Sequence, residues 1–259
     1  MNIHIDKRKE LAIEAARAAG KILRENFGKV LKVKSKPDGS VVTDIDLKAE
    51  EKIVKLIKEC YPEDNILSEE TKYQTFGSDF RWVIDPLDGT HNFIRNIDIF
   101  GTSIALEFRR EVVLGVIYMP ITAELYVGQK GKGAHCNGNT ISVSERSLKE
   151  ATMVYDSIIR YNKKPMLGSL GNLVDKVFNV RMFGSTVRSL SYLAEGKVDL
   201  EIEYTDKAWD FAAGLLIVEE AGGKATDFQN RRWDTNTLGY VASNGMAHKE
   251  ILSELYKTH

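Results

Sequence analysis

Near Ser144 the sequence changes rhythm, and that change limits the folds open to the chain. Ahead of it, short apolar runs separated by turn signals predict strands at Asn65–Ser68, Arg81–Asp85, Thr102–Phe108, Val112–Tyr118, Glu124–Gln129 and Ile141–Val143. Arg109-Arg110-Glu111 joins the middle pair as a hairpin, and Gly131-Lys132-Gly133 and Asn137-Gly138-Asn139 signal further turns. Beyond it, strands at Thr152–Tyr155, Val180–Met182, Val198–Glu203, Lys224–Asp227 and Tyr240–Ser243 alternate with helices. Those helices are expected over Met166–Val177, Ser185–Glu195, Asp210–Ala221 and His248–Tyr256. The pattern divides the chain into an α+β subdomain over 1–144 with an antiparallel sheet and an α/β subdomain over 145–259, fused over one continuous surface.

Two helices lead the first subdomain. One runs from about Asp6 to Phe27, with Leu11, Ala15, Ala18, Ala19, Ile22 and Leu23 on one face and Gly28 as its stop. The other runs from Asp44 or Asp46 to Cys60, with Leu47, Ile53, Val54 and Ile57 inward. Between them Val30-Leu31-Lys32-Val33-Lys34 alternates like a strand, and Pro37-Asp38-Gly39-Ser40 reads as a loop.

Composition excludes several classes. Lys plus Arg total 36 against 37 for Asp plus Glu, so no broad positive field exists to hold nucleic acid. No apolar run approaches the roughly 18 residues of a membrane span. The polar start Met1-Asn2-Ile3-His4 carries no signal-peptide segment. Two cysteines, Cys60 and Cys136, form no framework, which fits a reduced, cytoplasmic setting and leaves oxygen ligands to hold any metal.

The densest chemistry is Asp85-Pro86-Leu87-Asp88-Gly89-Thr90, directly after the apolar strand Trp82-Val83-Ile84. Two carboxylates three apart at a strand end can converge on one hard cation. Pro86 has no N–H and forces a turn that can aim the Leu87 carbonyl inward. Gly89 removes a Cβ, and the N–H groups of Gly89 and Thr90 can meet an anion. All-oxygen ligands suit Mg²⁺. Asp, Pro and Gly are also ordinary turn formers, so the hexapeptide alone also reads as a surface turn. Two further acidic places weigh against that: Glu69-Glu70 after Ile66-Leu67-Ser68, and Asp210 at the head of an apolar helix. Alone, Asp210 would read as a helix cap and Glu69 as a loop charge.

Together these residues resemble the inositol monophosphatase family of Mg²⁺-dependent, lithium-sensitive phosphatases. Asp85-Pro86-Leu87-Asp88-Gly89-Thr90 with Asn92-Phe93 is similar to its first signature. Trp209-Asp210-Phe211-Ala212-Ala213-Gly214 with Glu220-Ala221-Gly222-Gly223 is similar to its second. Val42-Thr43-Asp44, Ser68-Glu69-Glu70 and Gly131-Lys132-Gly133-Ala134 match in order and spacing, and His91 departs from a common Thr.

The resemblance implies a layered αβαβα sandwich of the inositol monophosphatase/fructose-1,6-bisphosphatase type. It also implies hydrolysis of a phosphate monoester with two or three Mg²⁺ ions, inhibited by Li⁺. Glu69, Asp85 and the Leu87 carbonyl would hold the first ion, Asp85, Asp88 and Asp210 the second, with a looser third near Glu69. Asp44 and Thr90 would orient the attacking water, which Glu69 also serves, and Gly89 and Thr90 would hold the phosphate. Gly184, Ser185, Thr186 and Glu203 would contact the alcohol portion beside Asp88 and Asp210; read by themselves, Glu203 is equally a strand-end surface charge and Ser185 a helix cap. A homodimer acting on a small phosphorylated polyol or sugar, with no nucleic-acid or membrane partner, completes the expectation.

Lys34 and Lys36 read either as loop charges or as groups near the metals. Arg160, Lys163 and Lys164 read as solvent-exposed or as a seat for a second phosphate, which would favour fructose 1,6-bisphosphate. A nucleotide bisphosphate is the remaining substrate alternative, and a non-catalytic metal- or phosphate-binding module the alternative of another class. The Gly128, Gly131, Gly133 run enters no helix and reads as a turn. A haloacid-dehalogenase-like reading of Asp88-Gly89-Thr90 fails, because its nucleophilic Asp would have to stand where Pro86 is.

Overall fold

In the computed structural model the described residues are 2–29, 32–36, 39, 41–71 and 76–255. The expected strand residues Val30 and Leu31, the loop residues Pro37, Asp38 and Ser40, and the helix end at Tyr256 lie outside them. Helix α1 spans Asn2–Asn26, and α2 spans Asp44–Cys60 after the short strands β1 (Val33–Ser35) and β2 (Val41–Thr43). The strands β3 (Asn65–Ser68) and β4 (Phe80–Asp88) and the short helix α3 (Thr90–Ile94) follow. Next come β5 (Gly101–Phe108), β6 (Glu111–Met119), β7 (Glu124–Gln129), β8 (Ala134–Cys136) and β9 (Asn139–Thr140). The later part contains β10 (Thr152–Tyr155), α4 (Lys163–Val174), β11 (Asn179–Arg181), α5 (Thr186–Ala194) and β12 (Leu200–Glu203). It ends with α6 (Ala208–Glu220), β13 (Lys224–Asp227), β14 (Tyr240–Ser243) and α7 (His248–Glu254).

Strands β3 to β9 form a seven-stranded sheet in sequence order, antiparallel except for the β3–β4 pair. A five-stranded sheet has the order β11-β10-β12-β14-β13 and mixes parallel and antiparallel pairs. Helices α1 and α2 cover one face of the larger sheet, and α5 and α6 lie between the two sheets. Helices α4 and α7 pack together, with α7 against β14 of the smaller sheet. These are the five layers of the expected αβαβα sandwich.

The packing follows from the side chains. Ala12, Ala15, Ala16 and Ala19 of α1 are fully buried, and such a small-residue face lets the helix sit close to its neighbours. Helix α6 is apolar nearly all round from Phe211 to Val218, as a helix between two sheets must be. It approaches so closely that a Cβ on Gly115 of β6 would stand 2.5 Å from the Ala213 carbonyl oxygen.

Three expectations change. Leu47 is 44% exposed while Ile45 is buried, because α2 starts at Asp44 and turns Ile45, Ala49, Ile53 and Ile57 inward. Ile141–Val143 is no strand: Ile141 N–H bonds to the Ala134 carbonyl and Val143 N–H to that of Ala221. The pairing there belongs to the β8–β9 hairpin, whose turn at Asn137-Gly138 has positive φ at both residues. Finally, β4 does not turn away at Pro86 but continues to Asp88. The Gly131 turn is closed by a carboxylate of its own chain, since Gly131, Lys132 and Gly133 N–H groups donate to Glu220 at 2.8, 3.1 and 2.8 Å.

Candidate metal centre and substrate pocket

The end of β4 sets the site. Asp85 pairs with Ser103 and Asp88 with Gly101, so three steps on β4 oppose two on β5. One extra residue makes a β-bulge, and Pro86, with no N–H to offer the ladder, sits inside it. In a regular strand Asp85 and Asp88 would face opposite sides; the bulge brings both to one face. Asp85 Oδ1 accepts the Leu87 N–H at 2.9 Å, and the Pro86 carbonyl accepts the Thr102 hydroxyl at 3.0 Å.

The third carboxylate comes from α6. Asp210 lies in its first turn and accepts the Lys207 N–H at 2.8 Å. One oxygen each of Asp85, Asp88 and Asp210 lies within 4.8 Å of the others. Asp88 also receives the Ser185 hydroxyl and the N–H groups of Thr186 and Val187, so the start of α5 faces it. Burial, and then the charges of Glu69, Asp88 and Asp210, raise Asp85 well above the usual carboxylate range. Burial pushes Asp88 up to about 7 against the lowering hydrogen bonds of Ser185, Val187 and Thr186. Burial, then Asp206 and Glu69, raise Asp210. Carboxylates crowded together without a basic partner fit a hard divalent cation, and their oxygen-only donor set suits Mg²⁺.

Thr90 shows where the sequence reading of Asp44 needs correction. Its hydroxyl lies 3.1 Å from Asp46 Oδ1 and 3.0 Å from the Leu87 carbonyl oxygen. Asp46 is fully buried, and it also accepts the Thr43 N–H at 2.9 Å and the Thr43 hydroxyl. Asp44 is instead partly exposed and hydrogen-bonded to Lys48 at 3.1 Å, one turn along α2, and that bond holds its carboxyl below the usual range. Helical geometry accounts for this placement: Thr43 caps α2 and reaches Asp46, which also meets Thr90. Gly89 has φ +82°, and a Cβ there would stand 2.8 Å from the Ile99 carbonyl oxygen, so glycine is required where the backbone enters α3.

Glu69 remains outside the group formed by the triad and makes an ion pair with Lys36 at 2.7 Å. Lys36 also meets Glu70 at 2.6 Å, which gives this lysine the place near the acidic residues rather than a loose loop position. Burial alone would lower the Lys36 ammonium, but the bonds to Glu69 and Glu70 raise it overall. Lys34 is exposed.

The residues expected on the alcohol side lie together in the structure. Gly184, Ser185, Thr186 and Glu203 line a cavity of about 160 Å³ that also reaches Asp88 and Asp210. Ser185 is the cap of α5, and its hydroxyl meets Asp88 as well. Arg160, Lys163 and Lys164 are exposed and do not line that cavity, and His91 is exposed on α3. Sequence reasoning missed Asp46, Asp156, Glu201 and Asp206. A Thr43-x-x-Asp46 capping pattern was available for the first; the others meet only through the pairing of β10 with β12 and the start of α5.

Comparison with known proteins agrees with this geometry. The model of the inositol monophosphatase family matches residues 4–259. A fructose-1,6-bisphosphatase/inositol-1-monophosphatase of Thermotoga maritima is 34% identical over 247 residues, covering 95% of this chain and 94% of its own. The Nus factor SuhB of Escherichia coli K12 is 34% identical over 252 residues, with 95% and 94% covered. The crystal structure of the extragenic suppressor protein suhB from Bartonella henselae superposes with a TM-score of 0.93 at 33% identity, covering 96% of this chain and 98% of that one. With a family match that runs from the first helix to the last residue, around a carboxylate triad delivered by β4 and α6, the chain belongs to the inositol monophosphatase family.

Proposed function

We propose that the protein is a Mg²⁺-dependent phosphomonoesterase that releases phosphate from myo-inositol monophosphates or a closely related phosphorylated sugar. The observation that carries this reading is the sharing of Asp88 and Asp210 between the acidic triad and the cavity lined by Gly184, Ser185, Thr186 and Glu203. A metal-held phosphate and an alcohol pocket would then adjoin.

Asp85, Asp88 and Asp210 would hold the metal, with Glu69 and the Leu87 carbonyl as further oxygen donors. Bound Mg²⁺ supplies Lewis acidity toward the phosphate, lowers the pKa of water and stabilises the leaving oxygen. Asp46 would accept the proton of the attacking water through Oδ1. Thr90 Oγ1, 3.1 Å away, can donate to Asp46 and present its lone pairs to a water. Gly89 and Thr90 N–H groups at the first turn of α3 would position phosphate oxygens. Buried Glu203 would accept hydrogen bonds from the alcohol portion.

A second reading adds fructose 1,6-bisphosphate, supported by the name of the Thermotoga relative. A cytoplasmic homodimer forms part of the same proposal, and light scattering would measure its mass. Phosphate release with Mg²⁺ over inositol phosphates, fructose 1,6-bisphosphate, 3′-phosphoadenosine 5′-phosphate and an aryl phosphate tests the activity. Turnover that ceases with excess chelator, while the fold persists, is expected. Metal binding with no release from any ester would instead support a non-catalytic binding module.

A further inference from the structure

The cavity beside the triad is more negative than a neutral alcohol requires. Asp156, Glu203 and Asp206 line it, at 1%, 7% and 9% exposure, and no Lys, Arg or His does so among the described residues. The charges bearing on Glu203 are those of Asp206, Asp156 and Glu201, all of one sign. Hydrogen bonds from the protein orient this group, and Glu203 also bonds to Asp156, so these two carboxyls share a proton when no cation is bound. Asp156 accepts the N–H groups of Ile158 at 2.6 Å and Tyr204 at 3.2 Å. Asp206 accepts the hydroxyls of Thr186 at 3.0 Å and Tyr240 at 3.3 Å.

Glu201 is the independent sign that something is to be bound there. It is fully buried, and neither of its carboxylate oxygens has a hydrogen-bond partner in the protein. Two residues before Glu203 on β12, it faces the same side of the sheet, beside Asp206 and the cavity-lining Ser189. The Ser189 hydroxyl donates to the Ser185 carbonyl at 3.0 Å, so its one proton is already committed. Four buried carboxyl groups are costly to ionise without a cation, and the hydroxyls of a neutral sugar would not compensate that charge.

The spacing indicates what kind of cation fits. Asp85, Asp88 and Asp210 bring three oxygens within 4.8 Å of one another; Asp156, Glu203 and Asp206 do not. A compact metal ion needs such convergence, whereas an ammonium directs several N–H donors to acceptors set farther apart. We infer that the alcohol pocket selects a phosphate ester whose alcohol carries a cationic nitrogen, held by Glu203, Asp206 and Asp156 with Glu201 behind them. Thr186 fixes where that nitrogen belongs. Its N–H is 3.3 Å from Asp88 Oδ1 and its hydroxyl 3.0 Å from Asp206 Oδ2, so the pocket's acids begin one residue away from the triad. An amine on the carbon next to the ester carbon meets that requirement.

This inference rests on the phosphatase reading and narrows its substrate class. Its test is steady-state phosphate release by the Mg²⁺-loaded protein from 2-amino-2-deoxyglucose 1-phosphate and glucose 1-phosphate, with an aryl phosphate as reference. The amino ester is expected to show a kcat/KM at least about tenfold higher, as a charge-assisted hydrogen bond implies. Glu203→Gln and Asp206→Asn are each expected to move that ratio toward one. Equal or better turnover of glucose 1-phosphate by the unaltered protein, with the aryl phosphate hydrolysed, would overturn the inference alone. No release from any of the three would overturn the phosphatase reading and the inference together. Because the unaltered protein decides the ratio, a variant that fails to fold does not remove the test.

Discussion

At the scale of the residue, the two aspartates that open α2 have opposite surroundings. Asp46 is buried against Thr43 and Thr90, and Asp44 is partly exposed beside Lys48. If Asp46 receives the proton, Asp46→Asn should lower kcat by about 10²- to 10⁴-fold, as loss of a general base does. Asp44→Asn should leave kcat within about twofold, like other exposed substitutions. Thermal melts of both variants would separate loss of chemistry from loss of fold, and equal effects would return the role to Asp44. Asp88→Asn removes charge from the triad while keeping its shape. Turnover should fall by orders of magnitude as metal binding weakens, while the metal-free protein melts no earlier because carboxylate repulsion is eased.

At the scale of the element, close approach between β6 and α6 sets a strict limit. Gly115→Ala would press a Cβ against the Ala213 backbone, which cannot retreat as a flexible side chain can. A stability loss of about 1–3 kcal/mol, read as a lower denaturant midpoint, is expected from such overpacking. Elements were legible in the sequence where their signals are local. Asn65–Ser68, Glu124–Gln129, Thr152–Tyr155, Lys224–Asp227 and Tyr240–Ser243 occupy the spans that their apolar runs predict. Asp85 and Asp88 were legible as a pair ending an apolar strand, whereas the resemblance, and not a local pattern, joined Asp210 to them. The bulge was not, since Asp-Pro-Leu-Asp carries the same signals as a turn and only pairing with β5 distinguishes them. Asp44 displaced Asp46 in the reading because both stand at a helix start, and choosing between them requires the position of Thr90. Asp156, Glu201 and Asp206 gather through contacts remote in sequence, so no local pattern marks them.

At the scale of the whole molecule, burial makes the site's protonation part of its stability. Burial, chiefly, pushes Asp88 and Asp206 up to about 7 from an ordinary value of 3.8. A carboxyl raised in the folded state contributes stability that is intact below about pH 4 and lost as pH rises through about 7. Metal-free protein should therefore lose part of its melting temperature across that window. Saturating Mg²⁺ should restore more of it near pH 7 than near pH 4, since ionised triad oxygens bind the ion. Calorimetry with and without Mg²⁺ measures this, and a shift independent of pH would contradict the assignment. Helix α6 also has a consequence for biosynthesis. The seven-stranded sheet is complete once Thr140 has been made, yet the helix that packs against β4, β5, β6 and β7 begins only at Ala208. A nascent chain of that length holds every strand of the sheet but not the helix that covers it, so a ribosome stalled in that interval would expose apolar residues prone to aggregation.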